Sequence, residues 1–524
     1  MYHLGALAPT APRSSGPLSP TGSDTLFAVV VLAFTFAAAR VWTLSKIVPG
    51  MDYPQFLLFV RALQDHGNPA SPYHGTYTVG PWFMPTSLPV NFTSWLSYLC
   101  GGSIEAGGKL LLILQNVSLV AVTLYLLKIL GRNRWGVLLL FPLIHSVWTV
   151  VGGYAAYSTS LPLNILAWAL TVRWLERRDV RSGVALAVCL CANLLWHGVG
   201  FAQAGIGFAT LWAVWRAPSW RSRLVSVVPT LPCLAQCAAW IASTFSAKAA
   251  RGTPPGWPEP WDASERIFEY VWASVPHYQI RALALALIVG VGLLLCPTNL
   301  GNSGPAARIW RVRNPFLVLS LVYLASYYVF PFYLFQVEGV SCRFSYISAL
   351  AFIFAWGLPS GRAARGVVLA AVGAFGAWCL ADITVRFRDF EAYTRGASDL
   401  MDRVGQQETL YCNAPDRGEG PDFAGPTNKP FRELQQYASI RQGGLPNSSF
   451  AGYNGANYIR YVDNRNPMPG ISGPPRASPE MTKFDYVLAY KGQAPQGKAF
   501  TFVASREGWD LYGVCGSARF PTCP

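Results

Sequence analysis

Residues 24–45 read DTLFAVVVLAFTFAAARVWTLS, and residues 50–56 read GMDYPQF. The first stretch is apolar over the roughly 20 residues that a helix needs to cross a hydrocarbon core. The second stretch places the carboxylate of Asp52 at the water-facing end of that helix. An acid at this depth is expensive to bury unless it faces a cavity or a partner, so Asp52 is a functional candidate. The alternative is a solvated loop acid that also caps an amphipathic helix from Tyr53 to Gln64.

The composition extends the membrane interpretation to the whole chain. Of the 524 residues, 52% are hydrophobic and only 13% are charged, and the mean hydropathy is +0.29. Because so little charge cannot cover the surface of a water-soluble protein of this size, we expect an α-helical polytopic membrane protein.

Apolar segments long enough to span a bilayer recur along the chain and predict about eleven transmembrane helices. A Pro/Ser/Gly-rich cytoplasmic leader, 1–23, precedes the first span, which lacks a small-residue cleavage site and is therefore expected to be retained. A transmembrane domain is expected over 24–385. The predicted spans are 24–45, 108–130, 135–152, 154–172, 182–197, 199–215, 222–245, 279–297, 314–336, 343–358 and 364–383.

Arginines cluster in every second connection between these spans, within residues 132–134, 173–181, 216–223, 308–313 and 362–365. The positive-inside tendency assigns those connections to the cytoplasm. We therefore expect an integral protein of a bacterial inner (plasma) membrane, with a cytoplasmic N-terminus and an exterior C-terminus. The net charge of +15 is explained by this collar meeting anionic lipid headgroups, so no nucleic-acid partner is expected.

Most of the polar sequence is assigned to the exterior side. Exterior loops are expected at 47–107 and 246–278, and from 386 onward the sequence becomes Gly/Pro/Asn-rich. Apolar runs at 409–412, 458–462, 484–489, 500–503 and 510–514 predict strands, and 431–438 predicts a short helix. A soluble α+β extracytoplasmic domain is therefore expected over 386–524. Exterior cysteines could form disulfides whose pairing stays open, although Cys515 with Cys523 would close the tail; the candidates are Cys100, Cys412, Cys515 and Cys523.

A short exterior turn places Glu338 and Arg343 near the predicted membrane surface. The pair forms either a rim salt bridge, worth about 0–1 kcal/mol if exposed, or a site where Arg343 grips phosphate oxygens. His197, at another exterior turn, either caps a helix end or contacts phosphate or acceptor. Further candidates for substrate binding are Lys46, His66, Trp257 and Trp261. The first loop has no Asp-x-Asp pair or other metal-ligand spacing, which favours chemistry without a metal or cofactor.

Two sequence patterns resemble parts of a known family. The first loop reads Met51-Asp52-Tyr53-Pro54-Gln55-Phe56, then Arg61-Ala62-Leu63, then Gly67-Asn68-Pro69 to Ser71-Pro72-Tyr73. It resembles the first exterior loop of GT-C glycosyltransferases, especially the polyprenyl-phosphomannose-dependent mannosyltransferases. The closing run Phe484-Asp485-Tyr486-Val487-Leu488, with Gly508-Trp509-Asp510-Leu511-Tyr512, is similar to the end of the exterior domain in many bacterial GT-C proteins.

The resemblance implies a glycosyltransferase that moves a sugar from a polyprenyl-phosphate donor to an extracytoplasmic glycan or lipid acceptor by an inverting mechanism. It implies that Asp52 is the base that deprotonates the attacking hydroxyl. Arg343, and less strongly Lys46, would then stabilise the phosphate as it leaves. Two other classes stay open. One is a lipid or polysaccharide transporter, which would need ionisable groups at the bilayer midplane, and the other is a non-catalytic GT-C-like scaffold.

Overall fold

The structure is a computed structural model that describes residues 22–50, 52–145, 154–246, 309–312, 314–331, 339–359, 361–413, 433–446, 458–462, 483–491, 493–495, 497, 499–517 and 519–522. Most of this part of the chain is helical. Its helices are α1 (Gly22–Arg40), α2 (Tyr53–Asp65), α3 (Ser87–Leu99), α4 (Ile104–Ile129), α5 (Ala155–Ser158), α6 (Leu161–Arg177), α7 (Val180–Trp196), α8 (Gly198–Val214), α9 (Trp220–Val225), α10 (Leu231–Ser246), α11 (Pro315–Val329), α12 (Cys342–Ala355), α13 (Arg362–Met401) and α14 (Gln436–Gln442).

Several helices have the length and composition of membrane spans, which makes the chain an integral membrane protein. Within the described residues, four segments are long and apolar enough to cross a bilayer: Ser23–Thr43, Ile104–Ile129, Trp220–Ser243 and Arg362–Met401. Helices α7, α8, α11 and α12 are apolar but shorter. The predicted count of about eleven spans is not confirmed, and the predicted span at 279–297 lies outside the described residues.

Three predicted spans differ from single long helices, and each contains proline. The span expected at 135–152 begins as a 3-10 helix, Arg134–Leu140, followed by a turn at Pro142. The span expected at 154–172 divides into α5 and α6, with Pro162 in the first turn of α6. The span expected at 222–245 is interrupted by the 3-10 turn Val228–Thr230. Proline lacks the N–H that continues a helix and its ring clashes with the preceding turn, which accounts for these breaks.

The last long helix extends well beyond its predicted end. A span was expected at 364–383 and a soluble domain from 386, but α13 runs without a break for 40 residues from Arg362 to Met401. The expected boundary at 386 therefore falls inside one continuous helix. At 1.5 Å per residue, α13 is about 60 Å long, which is more than a bilayer requires.

The expected exterior loop at 47–107 is largely helical. The amphipathic helix predicted from Tyr53 to Gln64 is confirmed as α2. Helix α3 packs tightly on α4, since a Cβ at Gly107 would lie 2.7 Å from the backbone nitrogen of Ser97. On its outer face α3 leaves Trp95 54% and Tyr98 67% exposed. Exposed Trp and Tyr rings of this kind suit the boundary between lipid and water.

The strands predicted in the C-terminal region are confirmed. They are β2 (Leu410–Asn413), β3 (Ile459–Tyr461), β4 (Tyr486–Tyr490), β5 (Phe500–Arg506) and β6 (Trp509–Val514), and β1 (Tyr77–Val79) lies in the first loop. One sheet has the order β2-β4-β6-β5, in which only β2 and β4 are parallel. The predicted short helix at 431–438 is displaced to α14.

Cys515 is disulfide-bonded, whereas Cys100 and Cys412 are not, and Cys523 lies outside the described residues.

The C-terminal region is joined to the helices rather than separated from them. β1 pairs antiparallel with β3, so that Tyr77 faces Tyr461. One hydrophobic core runs from the helices to Leu410, Tyr437 and Trp509. A small second cluster, formed by Tyr411, Phe484, Val487 and Val514, lies within the C-terminal region. The first loop, which carries Asp52, and the C-terminal region therefore pack together.

Candidate active site

Asp52 lies immediately before α2. Pro54 stands in the first turn of that helix, where a missing N–H has no cost and the fixed φ favours helix. Asp52 occupies the N-cap position, but its side chain makes no capping hydrogen bond. The residue is half-buried and one carboxylate oxygen is shielded from solvent. This environment differs from that of a solvated acid whose role is to cap a helix.

Arg343 lies in the first turn of α12 and is only 2% exposed. Its guanidinium carbon is 4.5 Å from the ring centroid of Tyr154 and 5.1 Å from that of Tyr157, distances at which a cation is attracted to an aromatic face. An exposed rim salt bridge would not bury the guanidinium in this way. Glu338, the partner considered from the sequence, lies outside the described residues.

The backbone of Arg343 is held by two side-chain donors. The Tyr157 hydroxyl donates to the Arg343 carbonyl oxygen at 3.1 Å. Gln203 Nε2 donates to the same oxygen at 3.0 Å and to the Tyr157 hydroxyl at 3.2 Å. These bonds fix the start of α12 against α5 and α8. Stacking and backbone hydrogen bonds together restrict where the guanidinium can point.

Gln203 is itself held by buried polar groups. Asn164 Nδ2 donates to Gln203 Oε1 at 3.4 Å, and Asn193 Nδ2 donates to Asn164 Oδ1 at 2.8 Å. The Tyr323 hydroxyl donates to the Gln203 carbonyl oxygen at 2.6 Å. A connected buried network of this kind rigidifies the core around it. It therefore gives Arg343 a fixed support.

The short helix α5 contacts the surroundings of both Asp52 and Arg343. It packs against α2, whose first turn follows Asp52. It also carries Tyr157, which stacks against Arg343. Helix α5 thus contacts both the helix that follows the Asp52 carboxylate and the buried guanidinium of Arg343. This arrangement suits chemistry that needs a base and an anion-binding group.

His197 lies between α7 and α8 and caps a helix. Its Nδ1 accepts a hydrogen bond from the Gly200 N–H at 3.3 Å, at the start of α8. The capping alternative is therefore observed, although through an N–H rather than a carbonyl. The ring also meets Tyr157 edge-on, with centroids 5.5 Å apart. Tyr157 thus contacts both His197 and Arg343. A role for His197 in binding substrate stays a prediction.

Lys46 and His66 flank α2 along the chain. Lys46 Nζ pairs with Asp399 Oδ1 of α13 at 3.1 Å, and the lysine side chain is 56% exposed. His66 ends α2, with Nδ1 2.7 Å from the Leu63 carbonyl oxygen. It is about 20 Å along the helix from Asp52. Trp257 and Trp261 lie outside the described residues.

An ionic junction that the sequence did not predict joins the C-terminal region to the helices. Arg441 of α14 donates to both carboxylate oxygens of Glu105, at 2.6 and 3.1 Å, and to Asp402 at 3.0 Å. Burial lowers the pKa of Arg441, but the hydrogen bonds and charges of Glu105 and Asp402 outweigh burial and raise the pKa. The Arg441 guanidinium therefore keeps its charge at any physiological pH. In the described part of the chain, no three His, Cys, Asp or Glu residues cluster as a metal site.

Comparison with known proteins adds evidence on the fold. No family model and no curated protein matches the sequence. ArnT from Cupriavidus metallidurans, solved with bound undecaprenyl phosphate, matches with a TM-score of 0.51 and 11% identity, over 94% of this chain and 98% of ArnT. In the apo state the TM-score is 0.54 and the identity 12%, over 94% and 97% of the two chains. ArnT is a GT-C glycosyltransferase. The chain has the GT-C fold.

Arabinofuranosyltransferase AftD from mycobacteria also matches this chain, with 14% identity and a TM-score of 0.44, over 94% of this chain and 40% of AftD. The tyrosines beside Arg343 were not predicted from the sequence, because they fall in an apolar run that was interpreted as a membrane span. A signal was present: Tyr154 and Tyr157 are three residues apart, the spacing of one helical face. The polar run Ser158 to Ser160 follows directly.

Proposed function

We propose that this protein is an inverting membrane glycosyltransferase that moves a sugar from a polyprenyl-phosphate donor to an extracytoplasmic glycan or glycolipid acceptor. The proposed location is a bacterial plasma membrane, with the C-terminal region outside. The GT-C fold supports a membrane glycosyltransferase in general, and ArnT, which shares that fold, binds undecaprenyl phosphate. The observation that carries the proposal is the buried guanidinium of Arg343, which stacks on Tyr157 of α5. Helix α5 also packs against α2, the helix that follows Asp52.

In the proposed reaction, the acceptor hydroxyl oxygen attacks the anomeric carbon on the face opposite the phosphate. Asp52 accepts the hydroxyl proton as the new carbon–oxygen bond forms. The bond between the anomeric carbon and the phosphate oxygen breaks, and its electron pair leaves with polyprenyl phosphate. Arg343 donates to the phosphate oxygens and offsets the charge that develops there. A single displacement inverts the anomeric configuration.

A carboxylate base and a guanidinium supply the proton transfer and the charge stabilisation, so the proposed reaction uses no metal ion or cofactor. Turnover should therefore be unchanged by EDTA. Loss of turnover on chelation, with recovery on adding Mg²⁺ or Mn²⁺, would contradict this part of the proposal.

The donor class is tested with purified protein in liposomes. The donors are a panel of labelled hexosyl and pentosyl polyprenyl phosphates and the matching nucleotide sugars, and a cell-envelope extract supplies acceptors. We expect label to move into the extract from one polyprenyl-phosphate donor and from no nucleotide sugar. Transfer from a nucleotide sugar alone would contradict the donor assignment.

Two variants make the donor assay specific. Arg343→Gln should lose donor use, whereas Arg388→Gln, an exposed arginine on α13, should behave as wild type. Thermal unfolding of each variant shows whether the protein is folded. A folded wild-type protein that transfers no label would favour a scaffold, and label that crosses the bilayer on an unchanged lipid would favour a transporter.

A further inference from the structure

Two neighbouring cavities lie at the opposite end of α4 from the C-terminal region. Helix α4 begins beside Glu105, which Arg441 binds, and ends at Ile129. Its 26 residues separate the two ends by about 39 Å. Both cavities lie at the Ile129 end, between the 3-10 helix Arg134–Leu140 and the start of α13. They are therefore distinct from the Asp52 and Arg343 region.

The first cavity is polar and has a volume of about 330 Å³. Arg132, Asn133 and Arg365 line it, together with the backbone at Gly131 and Gly357. Arg365 Nε donates to the Pro359 carbonyl oxygen at 2.9 Å, which restricts the position of its guanidinium. A guanidinium is a donor that phosphate oxygens accept.

The second cavity is an open apolar groove of about 400 Å³ between α1 and α13. Its apolar lining is contributed mainly by Leu26, Val30 and Phe34 of α1 and by Leu369, Ala370 and Gly373 of α13. Arg365 lines both cavities, and Arg362 also lines the groove. The two cavities are therefore adjacent, with the basic groups of the first beside the apolar lining of the second.

We propose that this paired cavity binds an anionic phospholipid. Arg132 and Arg365 would hold the phosphate, and an acyl chain would lie in the groove between α1 and α13. The charge is complementary: among the described residues no Asp or Glu lines either cavity, and Asp24, at the start of α1, pairs with Arg134. An amphiphile with one anionic end matches both the shape and the charge.

Phospholipid titration with thermal unfolding as readout tests this site. The purified protein in a neutral detergent is titrated with phosphatidylglycerol, with phosphatidylcholine of the same chains, and with glycerophosphoglycerol, which is the headgroup without chains. We expect phosphatidylglycerol to raise the unfolding temperature most, because a ligand that binds only the folded state stabilises it. Equal shifts with phosphatidylcholine, or a full shift with glycerophosphoglycerol, would overturn the proposal.

Two variants probe the two ends of the site separately. Arg132→Gln should require about fivefold more phosphatidylglycerol for the half-maximal shift, since one basic group is worth about 1 kcal/mol toward an anionic surface. Gly373→Leu should abolish the shift by filling the groove, and a Cβ at Gly373 meets nothing within 4 Å, so the fold should tolerate it.

Matched controls are available for both variants. Arg221→Gln removes an exposed arginine that lines neither cavity, and Gly205→Leu adds the same side chain at another open helical position. Both controls should keep the wild-type phosphatidylglycerol response. If Arg132→Gln and Gly373→Leu also keep it, the proposed site is wrong, whatever the outcome of the sugar-transfer assays.

Discussion

Arg343 combines a permanent positive charge with almost complete burial. Removing a guanidinium from water costs several kcal/mol unless its surroundings compensate. Tyr154 and Tyr157 supply part of that compensation through their ring faces, worth about 2 kcal/mol or more where water is excluded. A phosphate would add an opposite charge at the same place. A buried, oriented arginine is thus a suitable group for the leaving end of a lipid-phosphate donor.

Arg343→Lys is expected to weaken donor use more than acceptor use. Lysine keeps the charge but loses the planar fork and its stacking on the two tyrosines. Since hydrogen bonds to charged groups are worth about 1.5–3 kcal/mol, kcat/KM for the donor should fall by about 10-fold or more. Steady-state kinetics with each substrate varied in turn provides the measurement. An unchanged donor dependence would leave Arg343 a structural role only.

The elements divide into those that local sequence specifies and those that it does not. The strands β2 to β6 were predictable because short apolar runs stand between Gly, Pro and Asn. The breaks near Pro142 and Pro229 were missed because hydropathy over a long window averages across them. The extension of α13 was predictable in principle, since Phe387, Phe390 and Ala397 are buried at helical spacing.

A candidate residue was predictable only where its chemical type and its position along the chain both indicated a site. Asp52 follows the first span closely, so its location could be inferred from one stretch of sequence. The support of Arg343 comes from Tyr157, Gln203 and Asn164, which lie on α5, α8 and α6. Contacts between residues so far apart depend on how the helices pack. No local periodicity reports them.

The packing of α13 against the C-terminal sheet can be tested at one glycine. A Cβ at Gly396 would lie 2.2 Å from the Arg506 carbonyl oxygen of β5, whereas a Cβ at Gly366 of the same helix meets nothing within 4 Å. Gly396→Ala should destabilise the protein by about 1–3 kcal/mol, the usual cost of overpacking. Gly366→Ala should stabilise it by up to about 1 kcal/mol, because alanine favours helix. Equal unfolding temperatures for the two variants would contradict this packing.

At the scale of the whole molecule, the region around Asp52 is built from the first loop and the C-terminal region. β1 of the first loop pairs with β3 of the C-terminal region. The Tyr73 hydroxyl donates to the Gly444 carbonyl oxygen at 3.1 Å, and Arg441 binds Glu105. These links hold the loop that carries Asp52 against the C-terminal region. Precise placement of a base requires such support from a rigid scaffold.

The same assembly requires the first loop and the C-terminus to share one side of the membrane. From the alternating arginine clusters we expect that side to be the exterior. A reporter that is active only outside the cytoplasm should therefore work when fused after Pro524. Activity of a cytoplasm-only reporter at that position would overturn the orientation and the extracytoplasmic assignment of the acceptor.

Replacing Asp52 with asparagine tests the assignment of the base most directly. The amide is isosteric, so it removes the proton acceptor without opening a cavity, and the protein should stay folded. The measurement is sugar transfer from the polyprenyl-phosphate donor by purified protein, with thermal unfolding recorded in parallel. Loss of a general base typically lowers the rate by about 100-fold to 10,000-fold, and we expect a loss of that size with an unchanged unfolding temperature. A well-folded Asp52→Asn variant that turns over at close to the wild-type rate would contradict Asp52 as the base.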